Sequence, residues 1–226
     1  MTIKYHTELE QGSDEWFQVR LGLLTASEMH NIINLKTLEA VRPRNKNKEC
    51  SHLYELLAQR VTKYVEPQYI GDDMLRGMES EIEARDLYSK HYAPVEEVGF
   101  ITNDKWGFTI GYSPDGLVGD DGLIEVKGRR QKFQIEMIAD NETPEDYLLQ
   151  CQTGLLVSER KWIDFIGYHG GTPMFVNRVY PDDKIQNAII EVAGEFEIRL
   201  TDKLNAYNER IKSLIPTERK TEQEII

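Results

Sequence analysis

Asp115, Glu125 and Lys127 are the residues of this chain whose types and spacing suit hydrolysis. They lie in the run Tyr112-Ser-Pro-Asp-Gly-Leu-Val-Gly-Asp-Asp-Gly-Leu-Ile-Glu-Val-Lys127. Side chains two apart on a strand share a face, so Glu125 and Lys127 project together while Val126 points the other way. If the apolar segments 108–112 and 123–126 pair as a hairpin through Gly119-Asp-Asp-Gly122, Asp115 comes near Glu125. Two carboxylates and an amine at one point can hold a hard divalent cation through oxygen, with the amine left to handle a proton or a phosphate charge. The same residues also have a plainer reading. Pro-Asp-Gly is a common turn, and Glu-x-Lys on a half-exposed strand is often a solvated ion pair.

Further residues bear on the choice. Glu81, in Gly77-Met-Glu-Ser-Glu81, lies near Met78, Ile82 and Arg85 at the edge of a helical apolar stripe. It is the candidate third acid, or else one surface acid among many. Tyr147 and Gln150, three apart, share a helix face and can hydrogen-bond a substrate or Lys127, or the Gln150 amide is simply capped or exposed. Arg20 and Ser27 flank a turn at a helix start. A guanidinium and a hydroxyl there make a phosphate pocket, and ordinary capping is the alternative. The five histidines show no ligand spacing, and neither a Ser-His-Asp order nor a Walker-type phosphate loop is present.

The elements that must position these groups can be read from caps, breakers and periodicity. Ser13-Asp-Glu15 opens a helix that Arg20-Leu-Gly22 stops. Thr25-Ala-Ser-Glu28 reads as a capping box for a second helix. Residues 36–50 read as a loop, and Ser51 caps a third helix. Residues 72–92 form a long charged helix with Leu75, Met78, Ile82 and Leu87 facing inward. Strand signals at 95–102, 108–112 and 123–126 predict an antiparallel meander. Residues 132–140 and a segment opened by Pro144-Glu-Asp146 read as helices, 161–168 and 174–180 as strands, and Asp182 caps a final helix to about residue 211. This order predicts an α/β (α+β) fold with a mixed central β-sheet flanked by helices. One domain is expected over residues 1–215, with a charged tail over 216–226.

The 226 residues allow a sizeable core, and 40% hydrophobic with 29% charged residues suits a soluble globular protein. No apolar run reaches bilayer length and the N-terminus has no apolar signal core, so no membrane contact is expected. Cys50 and Cys151 cannot build a disulfide framework or a four-cysteine cluster, which points to a reducing, intracellular setting. A net charge of −12 argues against coating DNA by general electrostatics. Two local basic runs, Arg42-Arg44-Lys46-Lys48 and Lys127-Arg129-Arg130-Lys132, can still steer a polyanion. The first reads equally as a solvated loop.

Taken in order, Arg20-Leu-Gly-Leu-Leu-Thr-Ala-Ser27, Gly77-x-x-x-Glu81, Ser113-Pro-Asp-Gly-Leu117, Leu123-Ile-Glu-Val-Lys127 and Tyr147-x-x-Gln150 resemble the phage lambda exonuclease family. That family, the YqaJ-type viral recombinases, belongs to the PD-(D/E)xK nucleases. The resemblance spans about residues 13–168. It implies a restriction-endonuclease-like core and a Mg²⁺-dependent 5′→3′ exonuclease. Such an enzyme digests one strand of linear double-stranded DNA from its end and leaves 3′ overhangs for recombination by single-strand annealing. Glu81, Asp115, Glu125 and the Val126 carbonyl would bind two Mg²⁺ ions, with Mn²⁺ as a substitute. Lys127 would activate or orient the attacking water, and Gln150 would position Lys127 or the scissile phosphate. Arg20, Ser27 and Ser113 would read the 5′-terminal phosphate.

The lambda enzyme completes that pocket with an arginine shortly after its lysine. Here that position falls at about Phe133, and Arg129, Arg130 and Lys132, with Tyr147, are the nearby candidate DNA contacts. The resemblance further implies a ring-shaped homotrimer, a single-strand annealing protein as partner, and a place in the bacterial host cytoplasm as a phage or prophage product. A junction-cleaving or structure-specific endonuclease with the same core is the alternative, followed by an inactive DNA-end-binding module.

Overall fold

A computed structural model describes residues 2–41, 48–66 and 71–218 of the chain. Two mixed four-stranded sheets and the helices around them make up the fold. The first sheet holds β1 (Ile3–His6), β2 (Leu24–Thr25), β5 (Phe100–Asn103) and β6 (Ile110–Tyr112), in the order β1-β5-β6-β2. Only β2 and β6 run parallel in it. The second holds β7 (Gly116–Val118), β8 (Gly122–Gly128), β9 (Trp162–Tyr168) and β10 (Phe175–Val179), in the order β10-β9-β8-β7. There β8 and β9 are parallel, as a crossover connection requires. A small hairpin of β3 (Ile33–Asn34) and β4 (Glu39–Ala40) completes the strands.

Alternation along β8 divides the core. Leu123 packs with Ile163, Phe165, Leu149 and Leu155, where Leu149 and Leu155 belong to α5 (Glu145–Ser158). On the other face, Ile124, Val126 and Ile166 pack under Ala84 and Tyr88 of α3 (Asp72–His91). A buried polar tie reinforces that side: the Tyr88 hydroxyl donates to Asp164 Oδ2 at 2.6 Å. Arg178 grips the same carboxylate at 2.7 and 2.8 Å. The remaining helices are α1 (Asp14–Arg20), α2 (Lys48–Thr62), α4 (Gln131–Asp140) and α6 (Asp183–Ile211). Ser13 caps α1 by accepting from the Trp16 amide, and Asp182 caps α6 by accepting from Lys184 and Ile185. No helix among the described residues is long and apolar enough to cross a membrane.

Several expectations change. The predicted meander is split between the sheets: β5 and β6 pair in one, and the chain then crosses at Ser113-Pro114-Asp115 into the β7–β8 hairpin of the other. Segment 108–112 therefore never pairs with 123–126, because the short strand β7 takes that place. Thr25 makes no side-chain cap bond, and the helix after it is a 3-10 helix, Ala26–Asn31. Ser51 lies inside α2, which begins at Lys48. Arg42, Arg44 and Lys46 lie outside the described residues. On α3, Leu75, Met78, Ile82 and Leu87 are exposed, and Ala84 and Tyr88 face the sheet instead. The N-terminal strand β1, an edge partner of β5, carried no clear signal in its short polar sequence.

Candidate active site

The strand β8 presents Glu125 and Lys127 on one face, and the elements around it converge on the Glu125 carboxylate. Glu125 is 1% exposed. Its Oε1 accepts from Lys127 Nζ and from Gln150 Nε2 of α5, each at 2.5 Å. Its Oε2 accepts from the Tyr112 hydroxyl at the end of β6, at 2.8 Å. Three donors from three elements hold one buried carboxylate, as a charge in a dry site requires.

Asp115 enters from the crossover between the sheets. Its Oδ2 accepts from the Val126 amide at 2.5 Å, which sets the carboxylate against the backbone of β8. Glu81 reaches the same place from α3, close enough for its carboxyl to interact with Glu125, Lys127 and Asp115. Arg85, one turn further along, donates to the Asp115 carbonyl at 3.4 Å. It also stands 3.9 Å from Glu81 and 3.2 Å from Glu97. Gly128 lets α3 come this close: a Cβ there would lie 2.7 Å from Ser80 Cβ.

Three acids around one ammonium leave surplus negative charge. Burial, then repulsion from Glu125 and Glu81, pushes the Asp115 carboxyl well above its usual range. Burial raises Glu81 too, with Glu125 adding to it against the pull of Arg85. Burial by itself would lower the Lys127 ammonium, but attraction to Glu125 and Asp115 outweighs it and the net direction is upward. Among the described residues no three metal-binding side chains form a ready-made cage. The donor set is nevertheless all oxygen and carries an excess of negative charge, which fits a hard divalent cation.

Arg20 and Ser113 form a second cluster beside the first. Arg20 Nη1 donates to Ser113 Oγ at 2.8 Å, and Ser113 lies two residues before Asp115. The guanidinium lies over the Trp16 ring at 4.0 Å, and Trp16 Nε1 also donates to Ser113 Oγ, at 3.2 Å. Burial lowers the Arg20 pKa to about 10, with Glu28 opposing the shift. Ser27 is exposed at the start of the 3-10 helix, with its hydroxyl 3.3 Å from Thr25 Oγ1. The pairing of β2 with β6 holds this corner next to Gly111.

Of the remaining candidates, Tyr147 lies under Lys127 at 5.5 Å and under Arg129 at 5.2 Å, so Arg129 joins the rim of the carboxylate cluster. Lys132 lies over Phe133 at 4.4 Å, and Arg130 is exposed at the N-cap position of α4. Gln150 meets Lys127 only through the shared Glu125 oxygen. Sequence reasoning missed Tyr112, Trp16 and Arg85. The pairs Trp16–Arg20 and Glu81–Arg85 carried a signal, four apart on their helices. Tyr112 carried none, because its partner sits in the other sheet. Its ring rests on Gly154 of α5, where a Cβ would lie 2.7 Å away.

The model of the YqaJ-like viral recombinase domain matches residues 15–161, a span that holds both clusters. The chain is 30% identical to an alkaline exonuclease from Laribacter hongkongensis, over 90% of this chain and 100% of that one, with a TM-score of 0.78. The same enzyme in complex with dAMP matches at 31% identity, again with a TM-score of 0.78. A phage-related exonuclease from Haemophilus somnus shares the fold, at 13% identity over 80% of this chain and 96% of that one, with a TM-score of 0.53. No curated protein was found to match.

Proposed function

The chain belongs to the YqaJ-like viral recombinase family, and on that premise we propose that it is a DNA exonuclease acting on linear duplex ends. In this reading it requires Mg²⁺, removes nucleotides 5′→3′ from one strand, and leaves a 3′ overhang for an annealing protein. The observation that carries it is the gathering of Glu81, Asp115 and Glu125 around Lys127, with Lys127, Gln150 and Tyr112 donating to the Glu125 carboxylate. The Laribacter relative, an alkaline exonuclease solved in complex with dAMP, supports a site that accepts a mononucleotide.

Glu81, Asp115, Glu125 and the Val126 carbonyl would hold two divalent ions. Bound there, such ions would supply Lewis acidity toward the phosphate and lower the pKa of a water. The chain's own groups do the rest. Lys127, bonded to Glu125, donates to the attacking water or to a phosphate oxygen and so orients the in-line displacement. Gln150 and Tyr112 hold the two Glu125 oxygens in place. Arg20 is hydrogen-bonded to a hydroxyl and stacked on aromatic rings, with the Glu28 carboxylate acting on it only through its charge, and is suited to an incoming terminal phosphate with Ser113 and Ser27. Arg129, Arg130 and Lys132, just beyond the end of β8, and Tyr147, beside Arg129, are the candidate contacts for the DNA backbone. We further propose a homotrimer in the bacterial cytoplasm.

Digestion of linear duplex with 5′-phosphate or 5′-hydroxyl ends, beside a covalently closed circle, tests the reading. Mg²⁺-dependent loss of the linear DNA, faster from phosphorylated ends, is expected. Efficient cutting of the circle would point to the endonuclease instead.

A further inference from the structure

We propose that Arg60, on α2, is a positioning residue for DNA-end recognition, clamping the turn that carries Arg20 while an ion pair with Glu197 on α6 holds it in place. The inference rests on Arg20 being the terminal-phosphate contact. Arg20 opens a tight turn closed by the Leu23 amide donating to the Arg20 carbonyl at 3.0 Å. Leu21 has φ −55° and ψ 118°, and Gly22 has φ +69°, the signature of a type II turn with glycine at its third position.

Both polar groups of Gly22 are taken by α2. Its N–H donates to Gln59 Oε1 at 2.8 Å, and its carbonyl accepts from Arg60 Nε at 2.8 Å. A Cβ on Gly22 would lie 2.5 Å from Arg60 Cγ, so the helix side chain is seated directly on the turn. The other guanidinium nitrogens of Arg60 are committed as well. Nη1 and Nη2 form a two-pronged pair with Glu197 at 2.9 and 2.7 Å, with both side chains largely buried.

The turn is therefore fixed on its outer side by α2, while Ser113 and Trp16 fix the Arg20 guanidinium on its inner side. Loosening the outer hold lets the Arg20 backbone drift relative to Ser113, with the carboxylate cluster untouched. A lysine at position 60 keeps the charge but cannot supply Nε to Gly22 and a fork to Glu197 together. Arg60→Lys and Glu197→Gln are thus matched probes, and Gln59→Ala is a milder one that frees only the Gly22 N–H.

The experiment measures kcat and KM on duplex with 5′-phosphate and with 5′-hydroxyl ends, for the full chain and each variant, below the melting temperature of each. Arg60→Lys and Glu197→Gln should raise KM on phosphorylated ends about five- to tenfold, as expected for partial loss of one contact to a charged group, and leave hydroxyl ends within about twofold. Gln59→Ala should shift the same ratio in the same direction by less. Equal losses on both kinds of end would mean that the pair only holds α2 to α6, and would overturn the proposal. If the wild type prefers phosphorylated ends and the variants keep that preference in full, the clamp alone is wrong. If the wild type has no such preference, the assignment of Arg20 falls first and the clamp with it.

Discussion

At the scale of single residues, the site is organised by the cost of gathering acids. Asp115 is driven upward in pKa by burial and by Glu125 and Glu81. A carboxyl whose folded pKa exceeds its unfolded value of 3.8 binds more protons when folded, so stability falls as pH rises from about 4 through the folded pKa. The metal-free protein should therefore gain stability in Asp115→Asn at pH 8, by about 2–4 °C in melting temperature, and gain little near pH 4. The same variant should lose activity by on the order of a thousandfold. Unchanged melting at pH 8 would mean that the acids do not strain the fold. Tyr112→Phe removes one donor from a carboxylate that is 1% exposed and should lower stability by about 1–2 kcal/mol and kcat severalfold, measured by thermal unfolding and by steady-state digestion. Glu125 and Lys127 were legible in the sequence because a strand repeats every two residues. Tyr112 was not, because its bond to Glu125 depends on where the chain changes sheets.

At the scale of elements, α3 and α5 bring Glu81 and Gln150 to opposite sides of β8, and small residues set how near they come. Gly128→Ala would put a Cβ 2.7 Å from Ser80 Cβ and 3.3 Å from the Gly77 Cα, pushing α3 and Glu81 off the strand. The expected outcome is a stability loss of about 1–3 kcal/mol together with a rise of more than tenfold in the Mg²⁺ concentration needed for half-maximal activity. A Mg²⁺ titration unchanged from wild type would show that α3 does not set the site. The rotation of α3 was misread in the sequence. Leu75, Met78 and Ile82 have core-like spacing, yet the face turned to the sheet carries the half-buried Glu81 and the buried Ala84 and Tyr88, roughly a third of a turn away at 100° per residue. Hydrophobic periodicity cannot register that Tyr88 is held by the buried Asp164 on β9, a partner 76 residues away.

At the scale of the whole molecule, an acidic chain of net charge −12 must meet DNA at a few cations rather than over a surface. Arg20, Lys127, Arg129, Arg130 and Lys132 are the basic candidates at the site, so binding of linear duplex by Asp115→Asn should fall with salt at a log–log slope of magnitude about 4.5 or less. A much steeper slope would require further basic contacts. Most helix ends were readable along the chain, since caps such as Ser13 and Asp182 act locally. The division into two sheets was not, because it turns on the three-residue strand β7 at the crossover that seats Asp115. The central claim, a metal-dependent exonuclease centred on Glu125, is tested most directly by end-labelled linear duplex and a covalently closed circle, with Mg²⁺ or with chelator, using wild type and Lys127→Ala. The proposed function predicts release of 5′-terminal nucleotides from the linear DNA alone, only with Mg²⁺, and loss of that release by orders of magnitude in Lys127→Ala. Digestion that survives the chelator or the Lys127→Ala change would contradict it.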